Sequence, residues 1–368
     1  MRAGVDAPQV VDDDLPSGFS QRLIDWQRQH GRHGLPWQGS RDPYRVWLSE
    51  IMLQQTQVTT VLGYYPRFLA RFPDVRALAD APADDVMALW SGLGYYSRAR
   101  NLHRCAQEVV ARHGGVFPRH STELATLPGI GASTAAAIAA FCFGERISIL
   151  DGNVRRVLTR LLAFDADLSA SAHQKRLWAL AQAMLPPAPT GDDMAAYTQG
   201  LMDLGASLCH RTRPQCETCP VQPLCRGHAQ GQPTRYPVVT RKTLRRHESW
   251  WLAVLWRQRP PAEGTEGRQV WLEPRPGRGI WAGLYCTPVH ADEASVQAAL
   301  PAVRSWEALE PVAHSLTHRE LRLHPLWAEW PGDAAPSGSG RWVAWADLAS
   351  VGVPAPVRSL LASLAPGG

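Results

Sequence analysis

Cys209, Cys216, Cys219 and Cys225 fall in one short stretch with the spacing C-x6-C-x2-C-x5-C. In a chain without a secretory signal, such a cluster reads as a metal site and not as a disulfide framework. Zinc ribbons place two CxxC knuckles far apart, whereas one CxxC occurs here. A compact four-cysteine loop better suits a cubane [4Fe–4S] cluster, with zinc or plain structural thiols as the alternatives. A cluster whose irons are all held by cysteine has no open position for Lewis-acid work, so a structural or electron-transfer role is expected. Arg211 and Arg213 lie inside the loop and can be held against phosphates. Cys105, Cys142 and Cys286 are isolated.

Upstream of the cluster the chain reads as helical from Phe19 to about Leu224, with apolar residues at helical spacing and short Gly or Pro punctuators. Downstream the character changes. Trp250–Trp256, Gln269–Glu273, Leu321–Trp327 and Trp342–Trp345 read as strands, and Ala294–Leu300 and Val357–Leu364 as helices. The expected organisation is a disordered leader (1–16), an all-α domain (17–227) ending in the cysteine loop (209–225), a basic linker (228–248) and a smaller α+β domain (249–368). With 368 residues, 45% of them hydrophobic, the chain can bury a core and is not wholly disordered. Its longest weakly polar run, Ala132–Phe143, is too short to span a bilayer, which takes ~20 apolar residues. The N-terminus is acidic and shows no secretory pattern, so a cytoplasmic protein is expected. The net charge of +5 is mild, but 36 of the 38 basic residues are arginine. Only Lys175 and Lys242 could supply a side-chain amine.

Ser121–Ile138 reads STELATLPGIGASTAAAI. Ser121 caps a short helix, Pro128 and Gly129 end it, Gly131 permits a tight turn, and Ala132 starts the next helix. Free N–H groups at that second helix, beside glycines, can grip a phosphate. This is a helix–hairpin–helix, a sequence-independent hold on a nucleic-acid backbone. The plain alternative is an ordinary αα-hairpin with capping glycines.

Asp151 follows the apolar Ile147–Leu150 and opens the next predicted helix, where it can serve simply as an N-cap. Beside a DNA grip, however, a carboxylate is unfavourable unless it serves something cationic. Glu50 sits among Trp47, Ile51 and Leu53 on another predicted helix. If it faces inward, desolvation keeps it protonated near neutrality; the alternative is a solvent-facing glutamate. Gln54, Gln55 and Gln57 form an amide-rich stretch that can wedge into a base stack or read base edges. An acid and an anion in opposed environments suit cleavage of a glycosidic bond. One protonates the leaving base and the other stabilises the sugar cation, once the base has been flipped out of the duplex.

SEIMLQQTQV, SGLGYYSRARN, LPGIGASTAAAI, ILDGNVRRVL and the cysteine spacing together resemble the MutY family of adenine DNA glycosylases, within the helix–hairpin–helix, endonuclease III-like superfamily. The likeness runs from about Leu35 to Cys225. It continues more weakly through WAGLYCTP and HSLTHRELRLHP. The resemblance implies excision of adenine opposite 8-oxoguanine or guanine in double-stranded DNA by a monomer carrying a [4Fe–4S] cluster. By motif, Glu50 matches the general acid, Asp151 the carboxylate that stabilises the C1′ cation, and Asn153 its local support. Gln55 and Tyr95 match residues that insert into the stack beside the damaged guanine. Trp37 and Gln199 match positions lining the flipped-adenine pocket, and Gly129 and Gly131 belong to the phosphate-binding hairpin.

Ser133 stands where strand-cleaving relatives carry a catalytic lysine, and a hydroxyl forms no Schiff base. Arg155 stands where many family members have lysine, and a guanidinium stays protonated. A monofunctional enzyme that uses water is therefore expected. The C-terminal domain resembles a Nudix domain without its acidic metal-binding box, hence a lesion reader. The family's Phe-Ser-His loop appears as Leu316-Thr317-His318, which keeps the hydroxyl and imidazole but not the aromatic ring. Two rivals stay open: an endonuclease III-like oxidised-pyrimidine glycosylase/lyase and a non-enzymatic DNA-binding protein.

Overall fold

The computed structural model describes residues 15–240, 244–258, 267–332, 334–336 and 338–365. The expected leader lies outside the described residues apart from Leu15 and Pro16, and Leu15 packs against the helical core. The helices are α1 (Phe19–His30), α2 (Pro43–Leu53), α3 (Val58–Arg71), α4 (Val75–Ala79), α5 (Ala83–Trp90), α6 (Ser97–His113) and α7 (Ser121–Leu124). They continue as α8 (Ala132–Phe143), α9 (Gly152–Leu161), α10 (Ser171–Ala183), α11 (Gly191–Ser207) and α12 (Arg226–Ala229). The strands are β1 (Arg246–Gln258), β2 (Arg268–Pro274), β3 (Tyr285–Cys286), β4 (Val289–His290), β5 (Glu307–Ala308), β6 (Val312–Ser315), β7 (Arg319–Glu329) and β8 (Arg341–Ala344). Helices α13 (Glu293–Ala299) and α14 (Ala355–Ser363) complete the C-terminal region. The chain thus has an N-terminal helical domain and a smaller C-terminal Nudix-like α/β domain built on a sheet. No helix among the described residues is long and apolar enough to cross a membrane.

Residues 15–54 and 111–240 form one compact unit. Helix α11 lies against α1, α8 and α9 in its middle. The α11 start is fixed by a capping box: the Thr190 hydroxyl and the Asp193 carboxylate satisfy each other's backbone N–H groups. Helix α2 starts on Pro43, with the Asp42 side chain accepting from the Tyr44 N–H. Alanines 135–137, 139 and 140 of α8 are buried, which lets neighbouring helices approach closely, and α8 stops at Gly144 with φ +69°.

The described residues of 55–110 and 244–365 form the second unit. Helices α3 to α5 and most of α6 fall in the same unit as the sheet. Its centre is a parallel pair of β1 and β7, in register from Arg246 opposite Arg319 to Trp256 opposite Glu329. Strand β2 flanks β1 antiparallel, and β5 and β6 flank β7. Leu252–Leu255 of β1 are all buried, as a central strand covered on both faces requires. Val296 and Leu300 pack with Ala253, Leu255 and Trp271.

The expected linker, 228–248, is largely folded. Tyr236 is 2% exposed. Its carbonyl accepts from the Arg160 Nε, while the Val238 carbonyl accepts from the Leu168 N–H. Residues 246–248 already belong to β1. The few apolar side chains hidden in this basic stretch hold it to the first unit. Arg241 and Lys242 lie outside the described residues.

Candidate active site

Helix α2 is anchored by Trp47, which is fully buried and lies 5.2 Å from the Phe117 ring. Glu50 follows on the next turn. Its side chain is half-buried, and desolvation together with the neighbouring Asp151 charge pushes its pKa up to about 8. At neutral pH it therefore holds a proton that it can donate. Asp151 is the N-cap of α9: its Oδ1 accepts from the N–H groups of Asn153 at 2.7 Å and Val154 at 2.8 Å. The plain capping role is thus present, and it occupies one oxygen only. Oδ2 lies outside the cap, at a helix end that favours negative charge.

Asn153 supports Asp151 through its backbone. Its side-chain Oδ1 accepts instead from Arg156 Nη2 at 3.0 Å. Arg156 also donates to the Cys209 carbonyl through Nε and to the Gly205 carbonyl through Nη2, both at 2.7 Å. The first turns of α9 are thereby tied to the start of the cysteine loop.

The hairpin departs from expectation in two details. The left-handed residue is Gly129, with φ +77°, while Gly131 is an extended N-cap for α8. A Cβ at Gly131 would meet nothing, so no neighbour within the protein requires glycine there. The cap of α7 is not Ser121 itself. The Ser121 N–H and hydroxyl both donate to the Glu145 carboxylate at 2.7 Å. Ser133 accepts from the Leu150 N–H at 3.0 Å, joining α8 to the segment that leads into Asp151. Gln54 Nε2 donates to Thr134 Oγ1 at 3.3 Å.

Gln199 lines a cavity of about 420 Å³ together with Arg32, His33, Arg41 and Phe141. Its Nε2 donates to Asp203 Oδ1 at 2.8 Å. A carboxylate only accepts, so the amide is oriented with Oε1 left for a donor. Asp203 is fully buried and also takes the backbone N–H and Nε of Arg32. Trp37 is buried and does not line this cavity; its neighbour Gln38 does.

In the second unit, Gln55 and Tyr95 are both exposed and both adopt left-handed backbone, with φ 55° and 48°. Such conformations in non-glycine residues must be held by their surroundings. Arg98 holds both segments. Its Nη2 donates to Thr56 Oγ1 at 3.0 Å and to the carbonyls of Leu93 and Gly94 at 3.2 and 3.1 Å. Its guanidinium lies 5.5 Å from the Tyr95 ring centre. Burial lowers its pKa to about 10, so it remains cationic at neutral pH.

The Tyr95 phenol meets the Thr317 hydroxyl at 3.3 Å. Both residues line a cavity of about 380 Å³ with Trp281, His314, His318 and Arg319. His318 is exposed in the turn between β6 and β7, which the Leu316 N–H closes on the Arg319 carbonyl at 2.7 Å.

The thiols of Cys209, Cys216, Cys219 and Cys225 line one cavity, with Val157, Leu161 and Leu204 as its apolar wall. Arg160 Nη1 donates to the Cys209 sulfur at 3.3 Å. Backbone N–H groups of Val221, and of Gly227 and His228, face Cys219 and Cys225 respectively. Burial pushes the Cys219 and Cys225 thiols up, and these N–H groups oppose that shift only in part. The four sulfurs frame a space and do not converge on a point. Among the described residues, no three His, Cys, Asp or Glu side chains are placed to hold a single ion.

Arg98, Arg156 and Arg160 were not singled out from the sequence. In a chain whose basic residues are nearly all arginine, nothing local distinguishes a buried guanidinium from a solvated one.

Residues 48–183 match the HhH-GPD superfamily of base excision DNA repair proteins, and residues 264–363 match the NUDIX domain. The chain is 32% identical over 355 residues to the adenine DNA glycosylase of Buchnera aphidicola subsp. Baizongia pistaciae, covering 94% of this chain and 96% of that one. It is 36% identical over 396 residues to the adenine DNA glycosylase of Rattus norvegicus, covering 92% of this chain and 76% of that one. Among solved structures, a thermostable thymine-DNA glycosylase superposes with a TM-score of 0.50 at 27% identity, over 58% of this chain and 95% of its own.

Proposed function

The chain belongs to the MutY-type adenine DNA glycosylases of base excision repair, and on that premise we propose that it excises adenine opposite 8-oxoguanine, and opposite guanine, from duplex DNA. The observation that carries the chemistry is the half-buried Glu50 carboxyl, protonated at neutral pH beside Asp151. Glu50 donates its proton to a ring nitrogen of the flipped adenine and makes the base a neutral leaving group. Asp151, through the oxygen its cap leaves unused, stabilises the sugar cation, and water completes the hydrolysis. Asn153 steadies Asp151 by its backbone N–H. Gln199 presents Oε1 to the exocyclic amine of adenine, and Trp37 backs that region from the core.

Gly129 and Gly131 admit the DNA phosphate to the start of α8. Gln55 and Tyr95 enter the base stack beside the oxidised guanine, and Thr317 and His318 read it. We assign catalysis to residues 17–227 and lesion reading to residues 249–368, in a protein that acts as a monomer on cytoplasmic DNA. Ser133 offers no amine, so the product is an abasic site with an intact strand. The four cysteines, with their N–H donors and apolar wall, fit a [4Fe–4S] cluster. When bound, that cluster would hold the loop carrying Arg211 and Arg213 in shape.

A single-turnover assay tests this reading on duplexes carrying A:8-oxoguanine, A:G, A:T and thymine glycol, each read with and without alkali. The expected result is adenine loss opposite 8-oxoguanine and guanine, with breaks only after alkali. Cleavage of thymine glycol strands without alkali would overturn it.

A further inference from the structure

The turn that carries Tyr95 is held by a guanidinium from the far end of the chain. Arg358, in the first turn of α14, donates to the Ser91 hydroxyl through Nε at 3.2 Å and Nη2 at 2.9 Å. The same side chain donates to the carbonyls of Val351 at 2.7 Å and Leu348 at 3.3 Å. Ser91 in turn donates its own proton to the Val353 carbonyl at 2.7 Å. A hydroxyl has two acceptor lone pairs and one proton, so the bonds to Arg358 and Val353 engage Ser91 fully, and the Tyr96 phenol lies against the same hydroxyl. The site is 9% exposed, and loss of any one partner would strand the others away from water.

This joint sits at the root of Tyr95. Ser91 ends α5, and the next four residues make the turn, with Gly92 and Gly94 at φ +103° and +71°. The Tyr96 phenol accepts from the Gly92 N–H at 3.4 Å and lies beside Ser91 and the Ala355 backbone. At its tip, the Tyr95 phenol meets Thr317. The left-handed backbone at Tyr95 is therefore restrained from below by the α14 region and from above by the β6–β7 turn.

We propose that Arg358 is a positioning residue for lesion discrimination: acting through Ser91, it presets the Tyr95 turn without itself touching DNA. The inference rests on the reading of Tyr95 as the residue that enters the stack beside the oxidised guanine. It gives the C-terminal domain a second means of influencing selection, besides any direct contact between Thr317 or His318 and the lesion.

The test is a double-mutant cycle of Arg358→Gln and Tyr95→Ala in the full-length protein, read as the ratio of single-turnover adenine excision rates opposite 8-oxoguanine and opposite guanine. Neighbours that act as one unit couple by roughly two- to a hundredfold. Arg358→Gln is expected to lower the ratio by about tenfold when Tyr95 is present and to leave it unchanged in the Tyr95→Ala background. Arg358→Lys, which keeps the charge but not the forked donors, is expected to fall between. A merely structural role would slow both substrates equally, in both backgrounds, and that result overturns the proposal. An unchanged ratio in Arg358→Gln, with Tyr95→Ala still lowering it, overturns it too. If Tyr95→Ala alone leaves the ratio intact, it is the underlying reading of Tyr95 that fails, and the proposal falls with it. Should Arg358→Gln not fold by thermal melting, Ser91→Ala removes the same joint from the other side and replaces it in the cycle.

Discussion

The Leu150 backbone N–H donates to the Ser133 hydroxyl at 3.0 Å, so the position where a lyase would carry its nucleophilic lysine is here a structural tie. The tie holds the segment that delivers Asp151. Ser133→Ala should leave a buried N–H without a partner and cost roughly 1–3 kcal/mol, measurable as a lower urea midpoint with unchanged slope. The parent enzyme should give no borohydride-trapped adduct with its DNA substrate. A trapped species at any residue of the parent would break the argument from Ser133.

Glu50 beside Asp151 predicts that activity and stability decline together as pH rises but part company when the acid is replaced. Burial and the Asp151 charge raise the Glu50 pKa from 4.5 to about 8. Between those values the folded protein keeps a proton that the unfolded chain has lost, so stability falls as pH rises through that window. The excision step, which needs the protonated form, should likewise decline as pH passes about 8. Glu50→Gln cannot give up a proton as an acid, and its excision rate should drop by about 10²–10⁴-fold. It should nevertheless unfold at higher denaturant than the parent at pH 8, because no buried charge forms. Loss of both activity and stability at that pH would contradict the assignment.

The parts of the site legible in the sequence are those written within a few residues. The cysteine spacing, the Pro-Gly turn before α8 and the aspartate opening α9 are local patterns. What sequence reading lacked are ties between distant segments. Glu145 caps a helix that begins 24 residues earlier, and Tyr95 meets Thr317 across 222 residues. No periodicity encodes such contacts. The grouping of α3 to α6 with the C-terminal sheet was hidden for the same reason, because both segments read as ordinary members of their sequential neighbourhoods. Tyr236, buried in a stretch that reads as a basic linker, shows how a single apolar side chain can outweigh the polar composition around it.

Arg160 predicts a dependence of the cysteine loop on one buried cation. The residue is 2% exposed, and its guanidinium serves the Cys209 sulfur and the carbonyls of His210, Arg211 and Tyr236. Arg160→Met would keep the bulk and leave these acceptors unsatisfied. Each buried acceptor left without a partner costs about 1–3 kcal/mol. The variant should be purified with less iron and weaker visible absorbance per chain, and DNA binding should weaken as the Arg211 and Arg213 loop loosens. Full iron content with unchanged melting would show that the loop does not depend on Arg160.

Asp203 predicts a change in base selection without a change in the acid. Its Oδ1 fixes the Gln199 amide by accepting from Nε2 and accepts from Arg32 Nε as well, while Oδ2 accepts from the Arg32 N–H. An asparagine has a single oxygen for these two positions; with it at the Oδ2 position to receive the Arg32 N–H, Gln199 Nε2 and Arg32 Nε both meet the amide nitrogen, a donor. The Gln199 amide would then be free to turn and present Nε2 to the cavity. A base edge with an amine would be received less well, and one with a carbonyl better. Asp203→Asn should therefore slow excision of adenine by about tenfold or more, the scale of a hydrogen bond to a charged group. Excision of hypoxanthine, which carries a carbonyl where adenine carries its amine, should fall less. The decline in rate near pH 8 should remain, because Glu50 is untouched. An equal loss on both bases would mean that Asp203 supports the fold of α11 and Arg32 but does not set the orientation of Gln199.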